Sequence, residues 1–183
     1  MIITIAGTPG AGKSTVAKLV AKKLKLKHYS TGDYMRQIAI KRNISLIELS
    51  KIAEKDKSID KELDDSQINS GRTKDNFVID SRLGFYFIPH SIKVLLIANI
   101  DKSVDRIFQQ KRAEENAPTK EAIKKKIIVR KRSEKKRYKE LYGLEIYDFK
   151  DFDIIIDTSD LTIKQVVDGI VKYIQSQKTR NFK

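Results

Sequence analysis

The sequence predicts a single-domain α/β fold in which a five-stranded parallel sheet is flanked by helices on both faces. Short apolar runs, typical of buried parallel strands, alternate along the chain with longer segments whose apolar residues recur at helical spacing. The first of these runs leads through a glycine-rich turn into a helical segment. The length of 183 residues suits one domain, and no internal repeat or low-complexity linker divides it.

The first half of the chain contains three of the predicted strands, IITIA, KHYS and NFVID. A helix is expected from Lys13 to about Lys25, and TGDYMRQIAIK after the second strand begins another. Two polar helical segments follow, ISLIELSKIAEK with Ser45 as N-cap and SIDKELDDSQINSG, which Gly71 closes.

The second half contains the other two strands, SIKVLLIAN and FDIIIDTS. Between them we predict the helix DKSVDRIFQQKR, capped by Asp101, and a long basic helix that begins at Thr119 and ends near Gly143. LTIKQVVDGIVKYIQ is the closing helix. Strands that alternate with helices in this way favour a parallel sheet.

The composition limits which metal sites, disulfides and cellular locations are expected for the protein. Without cysteine the chain has no disulfide framework and no thiolate metal site, and His28 and His90 lack the spacing of metal ligands. No segment approaches the roughly 20 apolar residues that cross a bilayer, and no secretory leader is recognisable. We therefore expect a cytoplasmic protein that does not bind membranes.

The net charge of +14 has two interpretations. It suits a protein that binds nucleic acid. However, lysines spread over predicted helix surfaces account for much of the charge, and solvated faces are the usual explanation for such lysines. A cleft that holds two polyphosphates also needs cations, so we do not expect nucleic acid to be the partner.

The sequence GTPGAGKS, from Gly7 to Ser14, fits the pattern G-x-x-x-x-G-K-[ST] between a predicted strand and a predicted helix. In such a P-loop, glycines let successive backbone N–H groups point at a phosphate, and the helix N-terminus adds positive potential. We predict that Gly7, Gly10 and Gly12 shape the loop. Lys13 would reach the outer phosphates of a nucleoside triphosphate such as ATP, and the Ser14 hydroxyl would bind Mg²⁺.

Asp80 ends the strand NFVID at the edge where open α/β sheets bind ligands. It is the candidate acidic residue for placing Mg²⁺. The alternative is an ordinary aspartate in a turn after a strand.

Two arginines follow neighbouring predicted strands, Arg36 in STGDYMR and Arg82 in IDSRLG. A planar guanidinium binds a phosphate through two hydrogen bonds, so arginines at this edge suit a second phosphorylated substrate. Asp33 lies in the first of these motifs and is assigned to the same acceptor site. Each arginine taken alone has the alternative of a solvated surface charge.

The long basic helix carries polar residues on the face that should meet the protein. At about 100° per residue, this face contains Ile123, Ile127, Arg130, Glu134, Arg137 and Leu141. Burial of unpaired charges is costly, so the stripe indicates an anionic ligand in a polar cleft. The alternative is a helix at the rim, with Arg130 and Glu134 as a surface pair.

Arg112 lies beside AEENAPTK, where a short polar lid could exclude water from phosphoryl transfer. Arg106 and Arg132 are weaker candidates for the same role.

The motifs GTPGAGKST, STGDYMR, VIDSRLG and RKRSEKKRYKELYG, followed by FDIIIDTS, resemble those of the nucleoside monophosphate kinases, especially the archaeal-type cytidylate kinases. The resemblance covers the chain to about residue 175. It implies a P-loop core with a helical monophosphate-binding insert at about residues 36–72 and a lid at about residues 112–130. It also implies ATP, Mg²⁺ and a CMP or dCMP acceptor, bound by a monomer.

The resemblance also implies roles for individual residues. The loop residues that match the ATP-binding segment are Gly10, Ala11, Gly12, Lys13, Ser14 and Thr15. Arg36 and Arg82 match positions that hold the acceptor's phosphate. Arg130 would stabilise the transferred charge, Arg137 would contact the acceptor, and Glu134 would orient it or its neighbours.

The chain departs from related families at two places. Adenylate kinases have F-P-R-x-x-x-Q after the third strand, where this chain has Ser81-Arg82-Leu83-Gly84, which argues against AMP. The bacterial branch has a longer insert with base-reading residues, and these do not transfer to the short segment 44–71. Asp60, Asp64 and Gln67 could read cytosine, but for each residue alone a solvated helix face is the favoured interpretation.

The sequence as a whole predicts a cytidylate kinase that transfers the γ-phosphoryl group of ATP to CMP or dCMP. Two alternatives remain. The first is another small P-loop kinase, acting on AMP, UMP or a non-nucleotide acceptor. The second is a P-loop ATPase that assists RNA or ribosome assembly, suggested by the charge of +14.

Overall fold

A computed structural model of the chain describes residues 1–44, 46–53, 56–110, 119–146 and 148–180. Its five strands form one parallel sheet in the order β2-β3-β1-β4-β5. The strands are β1 (Ile2–Gly7), β2 (Lys27–Ser30), β3 (Phe77–Asp80), β4 (Ile92–Ile97) and β5 (Ile154–Asp157). The predicted α/β fold with a five-stranded parallel sheet is confirmed.

Eight α-helices are present in the described ranges. They are α1 (Lys13–Leu24), α2 (Thr31–Lys41), α3 (Leu46–Ala53), α4 (Lys57–Thr73), α5 (Gly84–Phe87), α6 (Ile100–Gln110), α7 (Lys120–Tyr142) and α8 (Ile163–Arg180). The sequence did not predict α5, because a helix of four residues is too short for apolar periodicity to reveal it. In the described part of the chain, no helix is both long and apolar enough to span a membrane.

The three central strands of the sheet, β3, β1 and β4, are covered on both faces, as their apolar residues require. On one face, strand residues such as Ile3, Ile5 and Leu96 pack against α1 and α8 in the largest core cluster. On the other face, Ala6 and Leu95 pack with Tyr138 of α7. Because successive strand residues point to opposite faces, β1 and β4 connect the two layers.

The long helix α7 has the boundaries that the sequence predicts. The Thr119 hydroxyl accepts a hydrogen bond from the Ala122 N–H at 3.2 Å, and Gly143 ends the helix with a φ of 68°. A residue with a side chain is strained in this left-handed conformation, so glycine suits the position. The helix lies with one face against the sheet layer through Tyr138.

The structure differs from the sequence prediction at two helix ends, and a third predicted end lies outside the described residues. Helix α6 begins at Ile100 and not at a cap on Asp101, because the Asn99 side chain accepts the Asp101 N–H at 2.8 Å. Gly71 does not close α4, which continues to Thr73. A Cβ on Gly71 would lie 3.0 Å from Ile88 Cγ1, so this glycine permits close packing. Ser45 lies outside the described residues.

Candidate active site

The glycine loop connects β1 to α1 at the carboxyl edge of the sheet. Gly10 and Gly12 have φ angles of 79° and 84°, in the left-handed region that favours glycine. Gly12 is also the N-cap of α1 and provides no side-chain cap, so the first N–H groups of the helix stay available to an anion. Ala11, Ser14 and Thr15 lie in the same turn, as the motif predicts.

The loop is fixed to the neighbouring strand β4. The Thr8 N–H donates to the Leu96 carbonyl at 3.0 Å, and the Thr8 hydroxyl accepts the Ala98 N–H at 3.2 Å. A Cβ on Gly7 would lie only 2.8 Å from the Leu96 carbonyl oxygen. Gly7 therefore allows β1 and β4 to approach where the loop begins.

Lys13 forms an ion pair with Asp80, the last residue of β3. Strand pairing places Asp80 opposite Ile5 of β1, and its side chain is 2 % exposed. Burial lowers the pKa of Lys13, while the Asp80 carboxylate opposes that shift. The sequence placed both residues at this edge, and the structure brings them into contact.

The oxygen atoms available near the loop suit a magnesium ion that stays mostly coordinated by water and phosphate. Among the described residues, no group of three or more His, Cys, Asp or Glu side chains could hold a metal ion by itself. Mg²⁺ in phosphoryl-transfer sites usually takes only one or two protein ligands. Asp80 and the Ser14 hydroxyl fit that requirement by chemistry and by position.

In the sequence, Arg106 of α6 is only a weak candidate for the lid, whereas in the structure its side chain forms a hydrogen bond to the glycine loop. Its guanidinium donates to the Gly10 carbonyl at 3.4 Å, to Thr158 Oγ1 at 3.0 Å and to the Thr158 carbonyl at 2.5 Å. The Thr158 hydroxyl also lies 3.2 Å from the Ala11 carbonyl. Arg106 thus connects the phosphate loop to the segment after β5. The sequence signal that could have indicated this role was the polar pair Thr158-Ser159 at a strand end.

A second group of charges lies on α7 and after β3. The Glu134 carboxylate is 2.9 Å from Arg82 Nε and accepts a hydrogen bond from Arg130 Nε at 3.0 Å. Glu134 is 7 % exposed, which excludes the solvent-facing alternative for this residue. The predicted stripe on α7 therefore faces the protein at Ile123, Ile127 and Glu134, whereas Arg130 is exposed.

Arg137 lies one turn further along the same face of α7. Its guanidinium carbon is 5.1 Å from the centre of the Tyr138 ring, and Nη2 donates to the Tyr138 hydroxyl at 3.3 Å. Nη1 is 4.0 Å from Asp60 of α4. An open depression of about 460 Å³ on the surface of α7 is lined by Arg130, Glu134 and Arg137 together with four other α7 residues.

Arg36 and Asp33 lie in the first turns of α2. They form an ion pair with each other and are about half exposed. Ser30, whose hydroxyl accepts the Asp33 N–H at 3.3 Å, is paired with Asp80 across the sheet. These two residues thus follow the strand next to β3 at the same edge. Arg112, the predicted lid arginine, lies outside the described residues.

Helix α4 presents polar residues to the rest of the protein. Gln67 is 5 % exposed and accepts a hydrogen bond from the Ser81 hydroxyl, so a solvated face is the wrong interpretation for it. The Tyr142 hydroxyl donates to Asp64 at 2.5 Å. Burial raises the pKa of Asp64 to about 6, although this hydrogen bond acts in the opposite direction.

Comparison with known proteins confirms the resemblance that the motifs indicated. The model of the cytidylate kinase-like family matches residues 2–160. The chain is 36 % identical to the cytidylate kinase of Sulfurisphaera tokodaii over 183 residues, which covers 99 % of both chains. It is 35 % identical to the cytidylate kinase of Methanothermobacter thermautotrophicus, with coverage of 87 % of this chain and 96 % of the relative.

The fold is shared with a wider group of P-loop kinases. Shikimate kinase from Acinetobacter baumannii superimposes with a TM-score of 0.61 at 18 % identity, covering 97 % of this chain and 94 % of that protein. At this identity the likeness concerns the fold alone. It confirms the P-loop arrangement of sheet, loop and flanking helices.

The Asp64→Asn substitution should change how stability depends on pH. The folded protein holds the proton on Asp64 up to about pH 6, whereas the group ordinarily titrates near 3.8. The stabilisation from this raised pKa is fully present below the unfolded value and is lost as pH rises through the folded value. We therefore expect the free energy of unfolding of the wild type to fall, relative to the variant, between about pH 4 and about pH 7.

Urea unfolding of both proteins across this range measures the difference. Asp151→Asn, at an exposed position outside α4, is the control and should follow the wild-type profile. Parallel profiles for the wild type and Asp64→Asn would contradict the raised pKa.

Proposed function

The chain belongs to the cytidylate kinase-like family, and we propose that it transfers the γ-phosphoryl group of ATP to CMP or dCMP, giving ADP and CDP or dCDP. The observation that carries this proposal is a second set of cations beside the phosphate loop. Arg82, Arg130 and Arg137 are held together by Glu134 and the α7 face. A hydrolase or switch needs one nucleotide and water, whereas a kinase must also bind a charged acceptor.

The glycine loop is the proposed donor site. Backbone N–H groups of the loop and the N-terminus of α1 would hold the β- and γ-phosphates, with Lys13 at the outer phosphates. Mg²⁺, held by Ser14 and Asp80, would neutralise phosphate charge. Arg106 supports this site indirectly, because its hydrogen bonds fix the carbonyl side of the loop. The residues proposed to bind ATP are Gly7, Gly10, Ala11, Gly12, Lys13, Ser14 and Thr15.

The arginines are the proposed acceptor site. Arg36 and Arg82 would bind the acceptor's phosphate, while Arg137 would contact the acceptor from α7. Asp33 lies beside Arg36 and would orient that side chain through their ion pair. Because each guanidinium offers paired donors, this set can fix a phosphate in one orientation.

Transfer requires little covalent chemistry from the protein. An oxygen of the acceptor's phosphate attacks the γ-phosphorus in line, and the bond from that phosphorus to the β–γ bridging oxygen breaks as ADP leaves. The attacking phosphate is already anionic near neutral pH, so no general base is needed. Arg130 would stabilise the charge on the transferred group. Arg112 remains proposed as a lid residue that joins it.

We place the reaction in the cytoplasm and assign it to a monomer. The family resemblance supports both assignments, and the use of ATP and CMP as substrates suits the cytoplasm.

An acceptor panel tests the proposed function. Purified protein with ATP and Mg²⁺ is offered CMP, dCMP, UMP, AMP and shikimate, and nucleoside diphosphate formation is followed together with ATP hydrolysis with and without RNA. We expect CMP or dCMP to be phosphorylated with the highest kcat/KM. ATP hydrolysis that is stimulated by RNA, with no acceptor phosphorylated, would refute the kinase and favour the ATPase alternative.

Replacing Arg137 by alanine should weaken use of the acceptor. A hydrogen bond to a charged group contributes about 1.5–3 kcal/mol, so kcat/KM for CMP should fall roughly 10- to 150-fold. The KM for ATP should change little, because Arg137 is proposed to contact only the acceptor. Steady-state kinetics with each substrate varied in turn measures both effects.

Lys131→Ala is the matched control, since Lys131 is an exposed cation on the same helix. Its kcat/KM for CMP should stay within about twofold of the wild type. Equal losses in the two variants would remove Arg137 from the acceptor site.

A further inference from the structure

Glu134 occupies an unusual position for a carboxylate on a basic helix. One oxygen accepts a hydrogen bond from Arg130, one turn earlier on α7, and the other lies 2.9 Å from Arg82 after β3. The side chain is 7 % exposed, so solvent contributes little to its stabilisation. A single buried carboxylate therefore joins two arginines that come from different elements.

These two arginines are also the groups that a phosphate would use. Carboxylate and phosphate oxygens are equivalent acceptors for a guanidinium, and both take its paired N–H donors. A phosphate that binds Arg82 must therefore compete with the Glu134 carboxylate for the charge of that guanidinium. Two anions so close together also repel each other strongly at the low effective dielectric of a partly buried site.

We propose that Glu134 is an internal counter-ion, which the acceptor's phosphate displaces from Arg82 and whose displacement releases Arg130 to the transferring phosphoryl group. This inference rests on the proposed function. Because both contacts belong to one carboxylate, a rotation that separates Glu134 from Arg82 also weakens its contact with Arg130. The arrival of the acceptor is thereby coupled to the availability of a catalytic cation.

This coupling would limit ATP hydrolysis when no acceptor is bound. When water replaces the acceptor, a water oxygen attacks the γ-phosphorus, the bond to the β–γ bridging oxygen breaks, and ADP and inorganic phosphate form with release of a proton. Arg130 would stabilise the charge on the transferred group in both reactions, so it would accelerate ATP hydrolysis as well as transfer to the acceptor. While Glu134 neutralises Arg130, Arg130 does not stabilise the charge that develops when water attacks the γ-phosphorus.

The Glu134→Gln variant tests the proposal, because glutamine keeps the shape of the side chain and removes its charge. Inorganic phosphate, titrated calorimetrically into protein whose glycine loop is saturated with a non-hydrolysable ATP analogue and Mg²⁺, probes the arginines without any contact to an acceptor base or ribose. We expect its affinity to rise roughly tenfold in the variant. We also expect ATP hydrolysis in the absence of any acceptor to rise by a similar factor.

Glu140→Gln is the matched control on the same helix, since Glu140 is exposed and pairs only at 3.8 Å with Lys136 in the contacts described. It should match the wild type in both measurements. Unchanged or weaker phosphate binding by Glu134→Gln would overturn the counter-ion role. Tighter phosphate binding with unchanged hydrolysis would overturn the release of Arg130.

Folding of the variants is checked by thermal unfolding and by the KM for ATP. If Glu134→Gln does not fold, Glu134→Asp takes its place: the shorter side chain cannot span both arginines, and we expect the same changes in smaller measure. Failure of the inference is distinguishable from failure of the proposed function. The first depends on phosphate affinity and acceptor-free hydrolysis, and the second on whether the wild type phosphorylates CMP at all.

Discussion

Parallel pairing of β1 with β3 brings Asp80 level with Ile5, at the point where β1 runs into the glycine loop. Lys13, the first residue of α1, forms its ion pair with Asp80 across this junction. The pair is nearly enclosed, so each charge depends on the other for stabilisation. Loop, helix and neighbouring strand are thereby held in one arrangement, and the remaining cations of the site are positioned around it.

Pairing of a cation with a carboxylate recurs in the rest of the candidate site. The chain carries a net charge of +14, yet Lys13, Arg36, Arg82 and Arg130 each have an acidic partner in the structure. Asp80, Asp33 and Glu134 supply these counter-charges. A protein that binds polyphosphates needs strong cations, and unpaired cations in a half-buried cleft are costly. Pairing each cation with a carboxylate meets the second of these constraints.

Most of the candidate site could be predicted from local sequence patterns. The glycine loop needs only its own residues and the strand and helix on either side, so its geometry follows from the motif. The burial of Glu134 followed from helical spacing, because an arc of α7 that includes apolar Ile123 and Ile127 must face the core. The position of Asp80 followed from the rule that parallel strands end at one edge.

Features that depend on contacts between distant segments could not be predicted in this way. The bridge from Arg106 to Thr158 requires knowing how α6 lies against the segment after β5. The burial of Gln67 depends on Ser81, fourteen positions away on another element. Helix α5 was missed because it is held by packing and not by its own periodicity. Each of these is a tertiary effect that composition and spacing do not encode.

The phosphate loop and the arginine cluster together form the proposed site for two nucleotides. A single molecule in which five phosphates join adenosine to cytidine would occupy both halves at once. Titration calorimetry should give one molecule per chain, with a Kd at least about 100-fold below that of ATP, because the second half binds intramolecularly. A Kd equal to that of ATP, with CMP still binding to the complex, would contradict the two-substrate site.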